Sequence, residues 1–443
     1  MRRTALLMMG LSTLLALTSA AGAASAAEWR YPAIASWSPL RHAVTLMPAG
    51  TSRHAGTVRD AATSRDAGTP SAQRTAEETP DMVGTVESVT GGALGDRPNM
   101  TLHHPGADYV KVHFARLSML PGDKLTVADP SGRESHTYAE KDLREADGWA
   151  MSISGDSAVV TAETATNDAL ELRSRLSTLS VTVDKIARGL TPDEKAANEK
   201  AAGAEAARHA TTQTSAREES ICGRSDEKVD AACYKSSDPV AYAHSRPVAR
   251  LLIGGVELCT GWRVGPNNRM FTNHHCFSQT RDARNTEVWF NYECGQCGGL
   301  NPLRPTKVWG DRVLATDPTL DYTLFSVQNF DTLRQFGFLT LDVRQPNRGE
   351  ELYIPQHPRG DPTVIAMEDP GERSGNCAVA NPSFAGYDTN TDVSYYCDTE
   401  GGSSGSPVIS RNTNEVIALH HFGGCPNSGV RVDLIYREIR NLL

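Results

Sequence analysis

All nine cysteines of this 443-residue chain lie between Cys222 and Cys425, and the first half contains none. A covalent framework confined to one half constrains the fold more than any other feature, provided that the chain meets an oxidising environment. The N-terminus points to such an environment. Arg2 and Arg3 precede an apolar stretch from Ala5 to Ala20, and the small residues Ala24-Ser25-Ala26-Ala27 follow. These are the parts of a secretory signal peptide over residues 1–27, cut near Ala26 or Ala27, so a secreted protein is expected. The apolar run is short for a membrane anchor, and no later segment reaches the length a bilayer requires. Zinc is the competing use of the cysteines, because Cys294-Gly295-Gln296-Cys297 is a CxxC and His274-His275-Cys276 is rich in ligand types. No second CxxC follows at finger or ribbon spacing, and export favours oxidation. Disulfides are therefore expected, with no metal and no other cofactor. The odd count leaves one thiol over, or pairs it between molecules.

A chain of this length exceeds one ordinary core, which implies two folded units with connecting segments. The net charge of -9 is spread over both signs, so neither nucleic acid nor an anionic membrane surface is an expected partner. Residues 28–78 are rich in Ala, Arg, Ser, Thr and Gly and contain a short echo, Ser52-Arg53-His54-Ala55-Gly56-Thr57 against Ser64-Arg65-Asp66-Ala67-Gly68-Thr69. Such a segment buries little and is expected to be disordered. Over residues 79–190 the pattern becomes short alternating runs: Val110, Val112 and Phe114, then Leu125 and Val127, Met151 and Ile153, Val181 and Val183. Turn signals such as Pro121-Gly122-Asp123 separate them, which predicts a small β-sandwich acting as an accessory or pro-domain. Residues 191–221 are polar and end in Arg217-Glu218-Glu219-Ser220, an exposed linker or single helix suited to a processing cut. The remainder, 222–443, is Gly-rich with brief apolar runs, and its length suits two packed six-stranded β-barrels. The fold class is thus all-β.

The chemistry concentrates in that last segment. Acyl transfer by a serine needs a histidine to take the hydroxyl proton, a carboxylate to hold the histidine, and backbone donors for the oxyanion. Ser404 lies in Gly401-Gly402-Ser403-Ser404-Gly405-Ser406-Pro407, where glycines let the backbone turn sharply and aim the N–H groups of Gly402 and Ser404 outward. His275 lies in Met270-Phe271-Thr272-Asn273-His274-His275-Cys276, an apolar strand end running into a cysteine. A bridge from Cys259 to Cys276 would pin the loop presenting the imidazole. Residue chemistry alone does not choose between His274 and His275. Asp321 opens the apolar strand Asp321-Tyr322-Thr323-Leu324-Phe325-Ser326-Val327. The same glycine run also matches GxSxG, which would make Ser403 the nucleophile of an α/β-hydrolase. That fold needs an acid and then a histidine after the serine, whereas here the last histidine, His421, precedes Asp433, so that reading fails.

These motifs resemble the chymotrypsin-fold peptidases, in which a histidine stands directly before cysteine, an aspartate opens an apolar strand, and GxSG is followed by proline. Gly402-Ser403-Ser404-Gly405-Ser406-Pro407-Val408 is similar to the GxSGSPV of the bacterial glutamyl and lysyl endopeptidases, and Thr272-Asn273-His274-His275 to their TNxH or TAxH. The resemblance covers residues 222–443 and implies a trypsin-like serine endopeptidase with His275 as base, Asp321 as its partner and Ser404 as nucleophile, acting on proteins or peptides. It implies the disulfides Cys259 with Cys276, Cys222 with Cys425, and Cys233 with Cys297. Cys377 and Cys397 lack a counterpart there but bracket one loop and are paired by expectation, leaving Cys294 free. Ser403 replaces the aspartate that pairs with a freed N-terminus in trypsin-like zymogens, so maturation is expected to remove a pro-segment instead.

The resemblance leaves two readings of the specificity pocket. Asp398 lies six residues before Ser404, where trypsin-like enzymes place the carboxylate that pairs with Arg or Lys. Thr399 and His420 fall where glutamyl endopeptidases bind a substrate carboxylate. Glutamyl enzymes often carry the Asp-Thr pair too, lysyl enzymes also have a histidine at the position of His420, and their substrate-binding aspartate has no match after Cys425; on charge complementarity acidic substrates are favoured over basic ones. A monomer is expected. The alternative of another class is a catalytically inactive, protease-like secreted binding protein.

Overall fold

The apolar alternation along Val110, Val112 and Phe114 buries one face of a long strand, and the rest of the N-terminal architecture is organised around it. The computed structural model describes residues 80–443 except 91, 95–98, 166–179, 199, 201–219, 300 and 373. The expected signal peptide, the low-complexity segment 28–78 and most of the polar linker lie outside the described residues. The first strands are β1 (Asp81–Met82), β2 (Gly84–Ser88), β3 (Asn99–His103), β4 (Tyr109–Ser118) and β5 (Lys124–Ala128). They are followed by β6 (Ser135–Tyr138), β7 (Ile153–Ser154), β8 (Ser157–Glu163) and β9 (Ser180–Gly189). Two four-stranded antiparallel sheets, in the orders β2-β9-β4-β7 and β3-β8-β5-β6, share a core that includes Val112, Leu125, Val127, Ile153, Val160 and Val183. The alternating residues read from the sequence are the inward-facing set of this sandwich. β1 does not join it.

The strand β10 (Val229–Asp230) precedes β11 (Val248–Ile253), β12 (Glu257–Arg263), β13 (Met270–Thr272), β14 (Thr286–Phe290), β15 (Thr306–Asp317) and β16 (Tyr322–Val327). Strands β11 to β16 form a closed barrel in the order β12-β11-β14-β15-β16-β13, sealed by β12 pairing with β13. The second set is β17 (Leu352–Gln356), β18 (Val364–Ala366), β19 (Val379–Phe384), β20 (Asp392–Tyr395), β21 (Pro407–Ser410), β22 (Val416–Phe422) and β23 (Asn427–Arg431). They run in the order β18-β17-β21-β22-β23-β20-β19, with β10 outside β18. The start of β19 returns to the segment leading into β17, with Val379 N–H donating to Glu350 O at 2.9 Å. Many of these strands are buried along their whole length because one face packs inside a barrel and the other against a neighbouring layer. A core of Trp262, Phe271, Leu324, Tyr353, Ile409 and Leu419 draws residues from both barrels. The architecture is the expected all-β one, a double barrel after a sandwich, but the second sheet runs to seven strands with β10 as an eighth instead of the expected six.

The sandwich docks on the first barrel through buried charge as well as apolar contact. Lys111 on β4 and Glu287 on β14 form a fully buried ion pair at 3.0 Å. Glu287 also accepts from Ser152 Oγ at 2.6 Å and from Trp289 Nε1 at 2.9 Å, while Lys307 donates to Glu134 at 2.6 Å. Burial of such charges is costly unless each meets its opposite charge, so these pairs hold the two domains in one register.

Candidate active site

The end of β13 and the start of β16 are adjacent strands, and that adjacency brings His275 to Asp321. Asn273 Nδ2 donates to the backbone carbonyl of Asp321 at 2.9 Å, tying the two turns together. Asp321, at φ 42° and 1% exposed, then holds His275 twice. Its Oδ1 accepts from the His275 backbone N–H at 3.0 Å and its Oδ2 lies 2.8 Å from His275 Nδ1. Burial opposes charge on Asp321, but His275 and His421 outweigh it and hold the carboxyl well below the usual range, ionised at neutral pH.

The loop carrying Ser404 is anchored to the same strand that anchors the histidine. Cys259 on β12 is disulfide-bonded to Cys276, the residue after His275. Its neighbour Thr260 donates from its backbone N–H to Ser404 O and from Oγ1 to Gly402 O, each at 2.8 Å. Two consecutive residues of β12 thus hold the histidine loop and the serine loop. Gly405 has φ 89°, and a Cβ there would lie 2.1 Å from Thr260 O, so only glycine lets the loop approach this closely. Ser404 itself is 7% exposed. The N–H of Gly402 points out of the loop and meets a carboxylate, Asp81 Oδ2 of β1, at 2.7 Å. Ser403 faces inward, its Oγ donating to Gln356 Oε1 at 2.5 Å.

His274 turns away from this centre, with Nδ1 2.8 Å from Thr316 Oγ1. Behind Asp321 lie two residues to which the sequence motifs assign no role. His421 Nδ1 is 3.0 Å from Asp321 Oδ2, and its Nε2 is 2.7 Å from Asp392 Oδ2. Asp392 is held by Ser428 Oγ at 2.8 Å and Thr391 Oγ1 at 2.9 Å. Burial lowers the affinity of His421 for a proton, yet the charge of Asp392 and the hydrogen bonds of both carboxylates raise its pKa to about 10, so it is an imidazolium at neutral pH. The available signals were an aspartate heading the buried strand Asp392-Val393-Ser394-Tyr395 and the doubled histidine on β22.

The residues proposed to read the substrate differ in their surroundings. Asp398 is buried, and its Oδ1 and Oδ2 accept from the backbone N–H groups of Cys222 at 2.7 Å and Glu227 at 2.8 Å. Its carboxylate therefore faces the segment that enters the barrels from the linker. Burial pushes its pKa up to about 6, against the pull of those two N–H groups. Thr399 is fully buried, and its Oγ1 has no hydrogen-bond partner among the described residues. His420 Nδ1 lies 2.7 Å from the hydroxyl of Tyr395, so the ring is held by β20.

Cysteine pairing closes the framework. Cys222 is bonded to Cys425, Cys233 to Cys297 and Cys377 to Cys397, while Cys294 is a buried free thiol whose pKa burial raises to about 11. Among the described residues Cys259, His275 and Cys276 lie near enough to share an ion, but the two sulfurs are bonded to each other and offer no thiolate.

The profile of the trypsin-like peptidase domain matches residues 259–419. The secreted RxLR effector protein 73 of Plasmopara viticola is 31% identical over 340 residues, spanning 73% of this chain and 77% of the relative. Among solved structures, a Glu endopeptidase in complex with MPD is 17% identical, covering 50% of this chain and 97% of that one with a TM-score of 0.37. The active form of the Rv3671c protease from M. tuberculosis is 16% identical, covering 50% and 89% with a TM-score of 0.36.

Proposed function

Because this chain belongs to one family with the secreted effector of Plasmopara viticola and carries a trypsin-like peptidase domain, we propose that it is a secreted serine endopeptidase. The observation that carries this reading is the double grip of Asp321 on His275, ring and backbone, within a loop tied to the Ser404 turn through Cys259 and Thr260. In the proposed mechanism Ser404 Oγ attacks the scissile carbonyl while His275 Nε2 takes its proton. Asp321 keeps the hydrogen on Nδ1 and stabilises the imidazolium that forms. The N–H groups of Gly402 and Ser404 bind the oxyanion, and the fact that Gly402 already donates to a carboxylate supports its role as an anion donor. His275 then protonates the leaving amine, and water releases the acyl-enzyme by the same steps in reverse.

The environment of the pocket residues supports acidic over basic substrates. A buried Thr399 hydroxyl without a hydrogen-bond partner among the described residues and a His420 oriented by Tyr395 suit a carboxylate, whereas the Asp398 carboxylate is engaged by two backbone N–H groups. Labelling with a fluorophosphonate, and hydrolysis of chromogenic peptides bearing Glu, Asp, Lys, Arg or Phe before the scissile bond, test both parts. Ser404→Ala is expected to abolish both signals, and labelling that survives this substitution refutes the mechanism.

A further inference from the structure

The strand β1 leaves the sandwich and crosses to the catalytic groove. Asp81 and Met82 pair antiparallel with Leu258 and Glu257 of β12, immediately before the Cys259 and Thr260 that anchor both catalytic loops. Val83 N–H extends the contact to Val256 O at 2.8 Å. The Asp81 carboxylate lies against the serine loop, where its Oδ2 accepts from the Gly402 N–H at 2.7 Å. It lies so close that a Cβ on Gly401 would fall 2.5 Å from its carboxyl carbon. Pro80 lines the same cleft as His275 and Cys276, a cavity of about 350 Å³. An acidic side chain on an extended strand thus occupies a donor that the reaction, as proposed above, needs for the oxyanion.

We propose that the groove is a binding site for the chain's own segment Pro80–Val83, an extended acidic peptide, and that the intact chain is latent while this segment is seated. The inference rests on the reading of Gly402 as an oxyanion donor. It also locates the activating event. The segment leads directly into β2, which pairs with β9 of the sandwich. The sandwich is held to the barrel by the buried Lys111–Glu287 pair and by Tyr109, whose hydroxyl donates to Gly255 O at 2.8 Å. A cut within residues 191–221 alone leaves β1 in place, because nothing in that cut loosens this interface. Activation instead requires the segment before Gly84 to be cut or peeled away.

Two measurements on the full chain test this. In a Ser404→Ala background, deuterium uptake of segments 256–260 and 400–404 is compared with and without Asp81→Ala or Met82→Pro, the second weakening the β1 ladder at an exposed position. Uptake on the order of tenfold faster is expected in both segments, from loss of a charge-assisted hydrogen bond and a strand contact. In the Ser404 chain, the same substitutions are expected to speed fluorophosphonate labelling by a similar factor. Unchanged uptake in both variants overturns the proposal, whatever the labelling shows. Faster uptake with no labelling in any form supports the seated strand and instead refutes the serine peptidase reading.

Discussion

His421 approaches the same oxygen of Asp321 that His275 engages, at 3.0 Å against 2.8 Å, so one buried carboxylate is shared by two imidazoles. Through its other nitrogen His421 reaches Asp392, making a buried chain of carboxylate, imidazolium and carboxylate behind the proposed base. In the proposed enzyme this chain positions Asp321 and offsets part of its charge.

Replacing His421 with Gln keeps a donor near Asp321 but removes the positive charge. The expected result is a kcat about tenfold to a hundredfold lower with KM little changed, a fraction of what a positioned base supplies. The acid limb of the kcat/KM profile should move to higher pH, because a less compensated Asp321 favours the protonated form of its partner. A purely structural role would lower the amount of folded enzyme without moving that limb.

The same group sets an alkaline limit on stability. The His421 pKa rises from 6.5 to about 10 on folding, so its contribution is complete below 6.5 and is lost as pH climbs through 10. Urea unfolding midpoints of the wild-type chain should fall across that window, and the His421→Gln chain should show a flatter dependence. Parallel curves for the two proteins would contradict the assignment.

Asp398→Asn separates anchoring from substrate recognition. Weakening its bonds to the N–H groups of Cys222 and Glu227 should cost about 1–3 kcal/mol of stability. The ratio of Glu to Lys substrate hydrolysis should stay the same. A collapse of Lys cleavage alone would make Asp398 the specificity residue.

Thr399→Val keeps volume while removing the buried hydroxyl. Glu-containing peptides should lose about 1–3 kcal/mol of transition-state binding, read as kcat/KM, while a Phe-containing peptide changes little. Equal losses on both substrates would place Thr399 in the scaffold instead.

Lys111→Met removes the cation paired with the fully buried Glu287 at 3.0 Å and leaves Lys307 alone to offset that charge. The expected loss is about 3–5 kcal/mol, measured by chemical denaturation. The double variant Lys111→Met, Glu287→Leu should recover much of it, since that buried carboxylate is then gone.

The local rules of this protein are written in its amino-acid order. Period-two alternation marked β4, β5 and β9, glycines at 402 and 405 marked a turn that no side chain fits, and cysteine clustering marked the half that carries the disulfides. His275, Asp321 and Ser404 stood out because their motifs are short and contiguous. Tertiary structure alone decided which groups meet across the fold. His420 and His421 are equivalent by type, and only the packing of β22 sends one to Tyr395 and the other to Asp321. Asp398 gains its partners from residues 171 and more positions away, and Asp81 reaches Gly402 across 321. Alternation and turn chemistry act over a few residues, where backbone geometry dictates direction. Which carboxylate finds which N–H is set instead by how sheets stack and strands cross, and a linear pattern carries no record of that.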